Sequence, residues 1–201
     1  MVFLVLFGDF VLELGEFLLV GAYGFEDVSG LFGSFVGVFD VVAAADFLAE
    51  LAEVFRTFGE ERFAGRIAKA IVAQRQRVPI RTTTQLFEVV TAALPARVRW
   101  RAARSTARVF QALRIAVNDE LQAIAQALPQ ALALLAPGGH LAVIAFHSLE
   151  DRLVKQFFVA ERQAGHVRIL TKKPLRPGEE EVAANRRAAS AKLRVCERTE
   201  T

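Results

Sequence analysis

The sequence predicts an α/β fold, one half of a sheet domain preceded by a small all-helical unit, and three observations predict it. Residues 141–146 form a short, almost uniformly apolar run without polar alternation, as expected of a strand covered on both faces in a parallel sheet. The residues after it return to helical periodicity, with Leu149, Leu153, Val154, Phe157 and Phe158 on one face and Glu150, Asp151, Arg152 and Lys155 off it. From Ser105 onward the elements read helix, strand, helix, strand, loop, strand, which is half of an α/β domain and not a complete one.

A chain of 201 residues with 53% hydrophobic side chains has ample material for a core and is not of disordered composition. Its single cysteine, Cys196, excludes an intrachain disulfide and a cysteine-based zinc site. The three histidines show no ligand spacing, and a reducing, cytoplasmic setting fits best. The net charge of +3 hides an asymmetry: residues 1–55 hold nine acids and no Lys, Arg or His, whereas all 25 Lys and Arg follow beside the other 13 acids. A basic body of this kind either meets a polyanionic partner or is a set of solvated helix faces.

Residues 1–47 crowd nine of the 17 Phe and seven of the 13 Gly into a stretch with no clean period. A signal peptide needs a positive start, and a membrane span needs about twenty uninterrupted apolar residues. Asp9, Glu13, Glu16, Glu26 and Asp27 interrupt the apolar runs, so neither is expected. Strands are predicted over residues 2–7, 17–23 and 35–42. The glycines make no G-x-G-x-x-G phosphate cradle, and Gly21-Ala22-Tyr23-Gly24 is too weak to use.

Ordinary amphipathic helix begins near residue 49. Leu51, Val54, Phe55 and Phe58 recur at helical spacing, and after Gly59 so do Phe63, Ile67, Ala70 and Ile71. Pro79 ends the second helix; Thr82, Thr83 and Thr84 offer a cap for a third with Leu86, Val89, Val90 and Leu94 inward, stopped by Pro95. Arg97, Arg99, Arg101 and Arg104 then surround Trp100 in a basic linker, where the indole either stacks on a base or lies half-buried in a solvated loop. A long helix opens at Ser105 or Thr106, with Phe110, Leu113, Val117, Leu121, Ile124 and Leu128 buried and Pro129 kinking or ending it. Its polar cluster of Gln111, Arg114, Asn118, Asp119 and Glu120 is denser than a plain surface face requires. Arg114 and Asn118, four apart, either point together at a ligand or hydrogen-bond to each other.

Past the apolar strand, residues 167–170 and 191–196 are predicted strands, separated by a turn-rich acidic excursion over 174–181. The chemistry concentrates where the first of these strands ends. Pro137-Gly138-Gly139 is a turn, and His147 and Ser148 sit at the carboxyl end of the run that follows it. Ser148, with Asp151 three residues on, reads as a helix N-cap close to a capping box. Ligands gather outside the carboxyl ends of strands in open α/β sheets, which makes His147, Ser148, Glu150 and Asp151 the candidate catalytic residues. Each has a purely structural alternative: Ser148 as a cap, Glu150 and Asp151 as complements to the helix's positive end, His147 as a partner of nearby backbone.

FQALRIAVNDEL (residues 110–121), APGGHLAVIAFHSLEDRLVKQFF (136–158), TKKPLRP (171–177) and SAKLRVCE (190–197), in this order and spacing, closely resemble the S-adenosylmethionine-dependent methyltransferases that modify the N4 amine of a cytosine in small-subunit ribosomal RNA, the MraW or RsmH family. FGEERFAGRIAKAIV (58–72) looks like the helical insertion that family carries, so the likeness covers about residues 49–201. The resemblance implies a partial class I, Rossmann-like methyltransferase sheet with an all-helical insertion. The division would be residues 1–48 unmatched, 49–104 the insertion and 105–201 the second half of the methyltransferase domain. It further implies S-adenosylmethionine as cofactor and the small-subunit RNA, free or in the 30S subunit, as partner, with no membrane. The strand ending before His147 would be the fifth of the sheet, with the helix from Phe110 packed beside it. On the substrate side the resemblance points to Asn118, Asp119, His147, Ser148, Glu150 and Asp151, with Arg114 and Lys155 as phosphate contacts.

The departure lies in residues 1–48, which contain none of the family's cofactor words: no glycine-rich turn, no acid placed for the ribose, no Asp-Leu-Gly segment. No cofactor residue carries over. The sequence therefore suggests a family member whose first 48 residues are replaced or read in another frame and whose cofactor binding is impaired. The competing readings are a non-catalytic, ribosome-associated RNA-binding remnant and a protein anchored to a membrane by residues 1–48.

Overall fold

A computed structural model of the chain describes residues 2–6, 17–19 and 48–200. The strand predicted over 35–42 and the Gly21-Ala22-Tyr23-Gly24 turn lie outside the described residues. The chain divides into two compact units, one of residues 27–120 and one of residues 1–26 with 121–201.

The helical unit contains α1 (Leu48–Thr57), α2 (Ala64–Arg75), α3 (Thr83–Ala93), a 3-10 turn (Ala96–Arg101) and α4 (Ala102–Asn118). Residues of the predicted apolar stripes form its core: Leu51, Phe55, Ile67, Ile71, Leu86, Val90, Leu94 and Leu113 are all buried together, while Phe110 and Val117 are only partly buried against it. Thr82 caps α3 in a reciprocal box with Gln85, as the threonine run suggests. Gly59 is required by contact, because a Cβ there would lie 2.8 Å from the carbonyl oxygens of Phe55 and Arg108. The helix predicted from Ser105 starts at Ala102, and its buried Val109, Ala112 and Leu113 join this core. The division accordingly falls after Glu120 and not at 104/105, and the helix from Phe110 belongs to the helical unit.

That helix also ends sooner than its apolar line suggests. Asp119 adopts the left-handed conformation (φ 50°, ψ 39°), which a short polar side chain tolerates better than most, and α5 (Glu120–Ala133) begins immediately after it. Pro129 does not stop α5 but lies inside it. Both Pro129 and Ala125 are exposed, so water can serve the carbonyl that the missing proline N–H leaves unpaired. The Arg198 guanidinium supplies the end of α5, donating from Nη1 to the carbonyls of Leu132 (3.4 Å), Ala133 (3.0 Å) and Leu135.

In the sheet unit, β1 (Val2–Leu6), β2 (Phe17–Leu19), β3 (His140–Ala145), β4 (Val167–Ile169) and β5 (Lys192–Arg198) form one sheet in the order β2-β1-β3-β5-β4. Pairings of β1 with β2 and β3 are parallel and those of β5 with β3 and β4 antiparallel, so the sheet is mixed where a parallel one was expected. β3 is the third described strand in chain order and the central one of the described sheet. Leu141, Ala142 and Val143 are all buried, and since successive residues face opposite sides, both faces of β3 are covered, as its unbroken apolar run predicts. Gly138 (φ 77°) makes the turn into β3, and its N–H donates to the Arg198 carbonyl at 2.8 Å.

After β3 come α6 (Ser148–Gln163) and, beyond β4, the short α7 (Glu179–Ala184). Ile124, Leu128 and Leu132 of α5 and Val154 and Phe158 of α6 share one core with Leu141, Val143, Val167 and Cys196. Cross-strand pairing fixes β5 further: Glu197 takes a bidentate bond from Arg168 (2.8 and 3.0 Å) and lies 3.4 Å from His140, and the Arg168 bond holds its carboxyl below the usual range. Burial pushes the Cys196 thiol up to about 12. Alkylation of Cys196 near pH ~8 is therefore expected only on unfolding, the reactive species being the thiolate. Modification of the native protein as fast as of a free thiol, followed by mass spectrometry, would contradict that placement. Among the described residues no helix is long and apolar enough to cross a membrane.

Candidate functional site

β3 ends at Ala145, and Phe146, 36% exposed, carries the chain out of the sheet into α6. The capping box predicted from Ser148 to Asp151 is present but lies one residue earlier. His147 is the N-cap, with extended backbone, and its Nδ1 accepts from the Glu150 N–H at 3.3 Å. Glu150 Oε2 in return accepts from the N–H groups of His147 (3.1 Å) and Phe146 (2.7 Å). An imidazole Nδ1 reaches the same backbone donor that a serine or aspartate oxygen would, so histidine can take the capping role. Ser148 is accordingly the first residue of the helix and not its cap.

Glu150 is only 4% exposed, and the two backbone donors are what permit a carboxylate there. With Nδ1 accepting, the proton of a neutral His147 ring sits on Nε2, which faces Glu150 Oε1 at 3.1 Å without the alignment of a hydrogen bond.

Asp151 is engaged differently. Arg194 of β5 donates to it twice, Nε to Oδ1 at 2.6 Å and Nη2 to Oδ2 at 3.3 Å, and Lys192 Nζ lies 3.9 Å from Oδ2. Lys192 and Arg194 share one face of β5 because alternate strand residues point the same way. The sequence reading missed both as partners of Asp151; the signal available was the alternation of Lys192 and Arg194 with the apolar Leu193 and Val195. Lys155 is exposed on α6.

The remaining candidates belong to the helical unit. Arg114 and Asn118 do share a face, and what they converge on is Glu120: Arg114 binds it twice (2.7 and 3.1 Å) and Asn118 donates to it at 3.3 Å. Glu120 is 7% exposed, so the cluster accounts for a buried carboxylate and braces the break at Asp119, itself exposed. Gln111 donates to the Phe58 carbonyl at 3.1 Å. Trp100, left open between a stacked and a half-buried state, is not half-buried: it is 75% exposed, with the Arg101 guanidinium 4.4 Å from its ring centroid.

The MraW methylase family model matches residues 39–199. The chain belongs to that family. Among its relatives, ribosomal RNA small subunit methyltransferase H of Heliobacterium modesticaldum is 50% identical over 165 residues, 74% of this chain and 52% of that protein. The protein of the same name from Thermomicrobium roseum is 54% identical over 167 residues (74% and 50%), and that from Acidothermus cellulolyticus 50% identical over 163 (74% and 50%). The chain thus spans about half the length of the curated MraW-family relatives it matches.

S-adenosylmethionine, the cofactor the family implies, asks for a close-approach glycine turn and a carboxylate for its ribose. After β3 the turn is Phe146-His147-Ser148, without glycine, and both nearby carboxylates are already bonded, Glu150 to backbone and Asp151 to Arg194. The end of β3 therefore offers no cofactor residue, beside residues 1–48 that lack the family's cofactor words, and no chemistry there is routed through the cofactor.

Proposed function

We propose that the protein's role is methylation of small-subunit ribosomal RNA at the N4 amine of a cytosine, with S-adenosylmethionine as methyl donor, and that residues 48–200 supply the acceptor side. The observation that carries this is the family match over residues 39–199, supported by about half identity to proteins named ribosomal RNA small subunit methyltransferase H. An exocyclic amine conjugated with its ring is a poor nucleophile; it must be held in line with the donor and relieved of a proton as the bond forms. The cytosine must also be unstacked from its strand. The His147 and Glu150 pair is the proton-handling group of this reading, with Ser148 and Asp151 around it and Lys155 toward phosphate. The 30S subunit and the cytoplasm are its setting.

Because residues 1–48 carry none of the family's cofactor words, this chain by itself is expected to bind S-adenosylmethionine with a dissociation constant weaker than about 100 μM by calorimetry. Micromolar binding would overturn that impairment. The engagement of both carboxylates favours one second reading, an RNA-binding protein without transfer activity. Salt-dependent binding to small-subunit RNA with no incorporation of labelled methyl into it supports the second reading. Formation of N4-methylcytidine, read by nucleoside mass spectrometry, selects the first. Absence of RNA binding sinks both.

A further inference from the structure

We propose that Trp100, backed by Arg101 and flanked by Arg97, Arg99 and Arg104, is a stacking platform for an unpaired base of a single-stranded RNA segment. The inference rests on the ribosomal RNA reading above but names a surface that reading does not use. Residues 96–101 form a 3-10 turn whose Val98 packs on the helical core, while Trp100 points outward. A 75% exposed indole is the least buried large apolar side chain among the described residues, with only the Arg101 guanidinium over its ring among them. Lone exposed hydrophobics are common on monomer surfaces, so exposure alone decides little.

Charge is the independent observation. Residues 89–118 contain six arginines and no Asp or Glu. Two of the six are spoken for, Arg108 by Glu61 (3.9 Å) and the Glu60 carbonyl (3.3 Å), Arg114 by Glu120. Among the described residues Arg97, Arg99, Arg101 and Arg104 meet no carboxylate; Arg99 Nε reaches the Leu94 carbonyl at 3.4 Å, and Arg101 lies over the indole. All four are exposed. An apolar ligand would leave four cations unneutralised, whereas a polynucleotide strand supplies both a flat π-face for the indole and phosphates for the guanidiniums. Duplex RNA is excluded by the same geometry, since its bases are already stacked inside the A-form helix.

The test uses the chain's only tryptophan, so its fluorescence reports this position alone. The full chain is titrated with a single-stranded fragment of small-subunit ribosomal RNA, following tryptophan emission and, separately, the anisotropy of end-labelled RNA. Saturable quenching at the affinity read by anisotropy is expected, and the same fragment annealed to its complement should quench far less. Trp100→Ala should weaken binding about 5- to 150-fold, the range base stacking supports, with Trp100→Phe retaining most of it. Trp100 is exposed and makes no core contact, and circular dichroism of each variant checks that the fold is kept. Anisotropy showing tight binding with emission unchanged and Trp100→Ala at wild-type affinity overturns the platform while leaving the RNA reading intact. No binding by anisotropy overturns both.

Discussion

Asp151→Ala is expected to destabilise the protein by about 3–5 kcal/mol, because it strands a buried guanidinium. Arg194 is 7% exposed and its charge is answered by Asp151 through Nε and Nη2; the nearest other side-chain charge paired with that carboxylate, Lys192, has the same sign. Removing the carboxylate leaves two cations facing one another beside the core. The loss should appear as a lower midpoint in urea unfolding with little change in slope, since the surface exposed on unfolding is unaltered. The double variant Asp151→Leu with Arg194→Met should recover most of that loss, as replacing a buried pair by apolar groups is often neutral. An Asp151→Ala protein as stable as the parent would show that the pair contributes no net stability. The consequence for function is direct: lost activity in an Asp151 variant is not evidence of catalysis unless folding is measured beside it.

Much of this arrangement was legible from local pattern. Helical spacing of Leu51, Phe55, Ile67, Ile71, Leu86 and Val90 placed the helical core, and the run before His147 placed β3, because burial on one stripe or on both faces leaves its period in the residues themselves. The misses depend on partners distant in sequence or on rare residue use. Arg194 lies 43 positions from Asp151, and no periodicity links a helix's first turn to a strand so far along the chain. The break at Asp119 follows from a conformation that glycine usually takes, stabilised by Arg114 and Asn118 converging on Glu120. The N-cap slipped from Ser148 to His147 because serine is the commoner cap and histidine a chemically adequate one. The pairing of β1 with β3, which covers an edge that would otherwise be open, is a non-local register of the kind local pattern does not encode.

Glu150→Ala should cost about 2–4 kcal/mol, and Glu150→Gln about 1 kcal/mol, a difference set by which atoms the carboxylate uses. Both backbone donors, from Phe146 and His147, go to the single oxygen Oε2. Alanine leaves two N–H groups at the end of β3 without their acceptor, and the helix loses its reciprocal cap. Glutamine can place its amide oxygen where Oε2 stands and keep both bonds, at the weaker strength of a neutral acceptor. Its amide nitrogen then occupies the place of Oε1, 3.1 Å from His147 Nε2, where a proton-bearing nitrogen meets another. Thermal unfolding therefore separates the two substitutions by stability, and a transfer or RNA-binding assay separates them by chemistry. If Glu150 only caps the helix, Glu150→Gln behaves as the parent in every functional measurement. If Oε1 takes the amine proton, Glu150→Gln folds nearly normally and loses the methyl transfer the parent gives at high S-adenosylmethionine concentration, a combination that loss of a cap alone cannot produce.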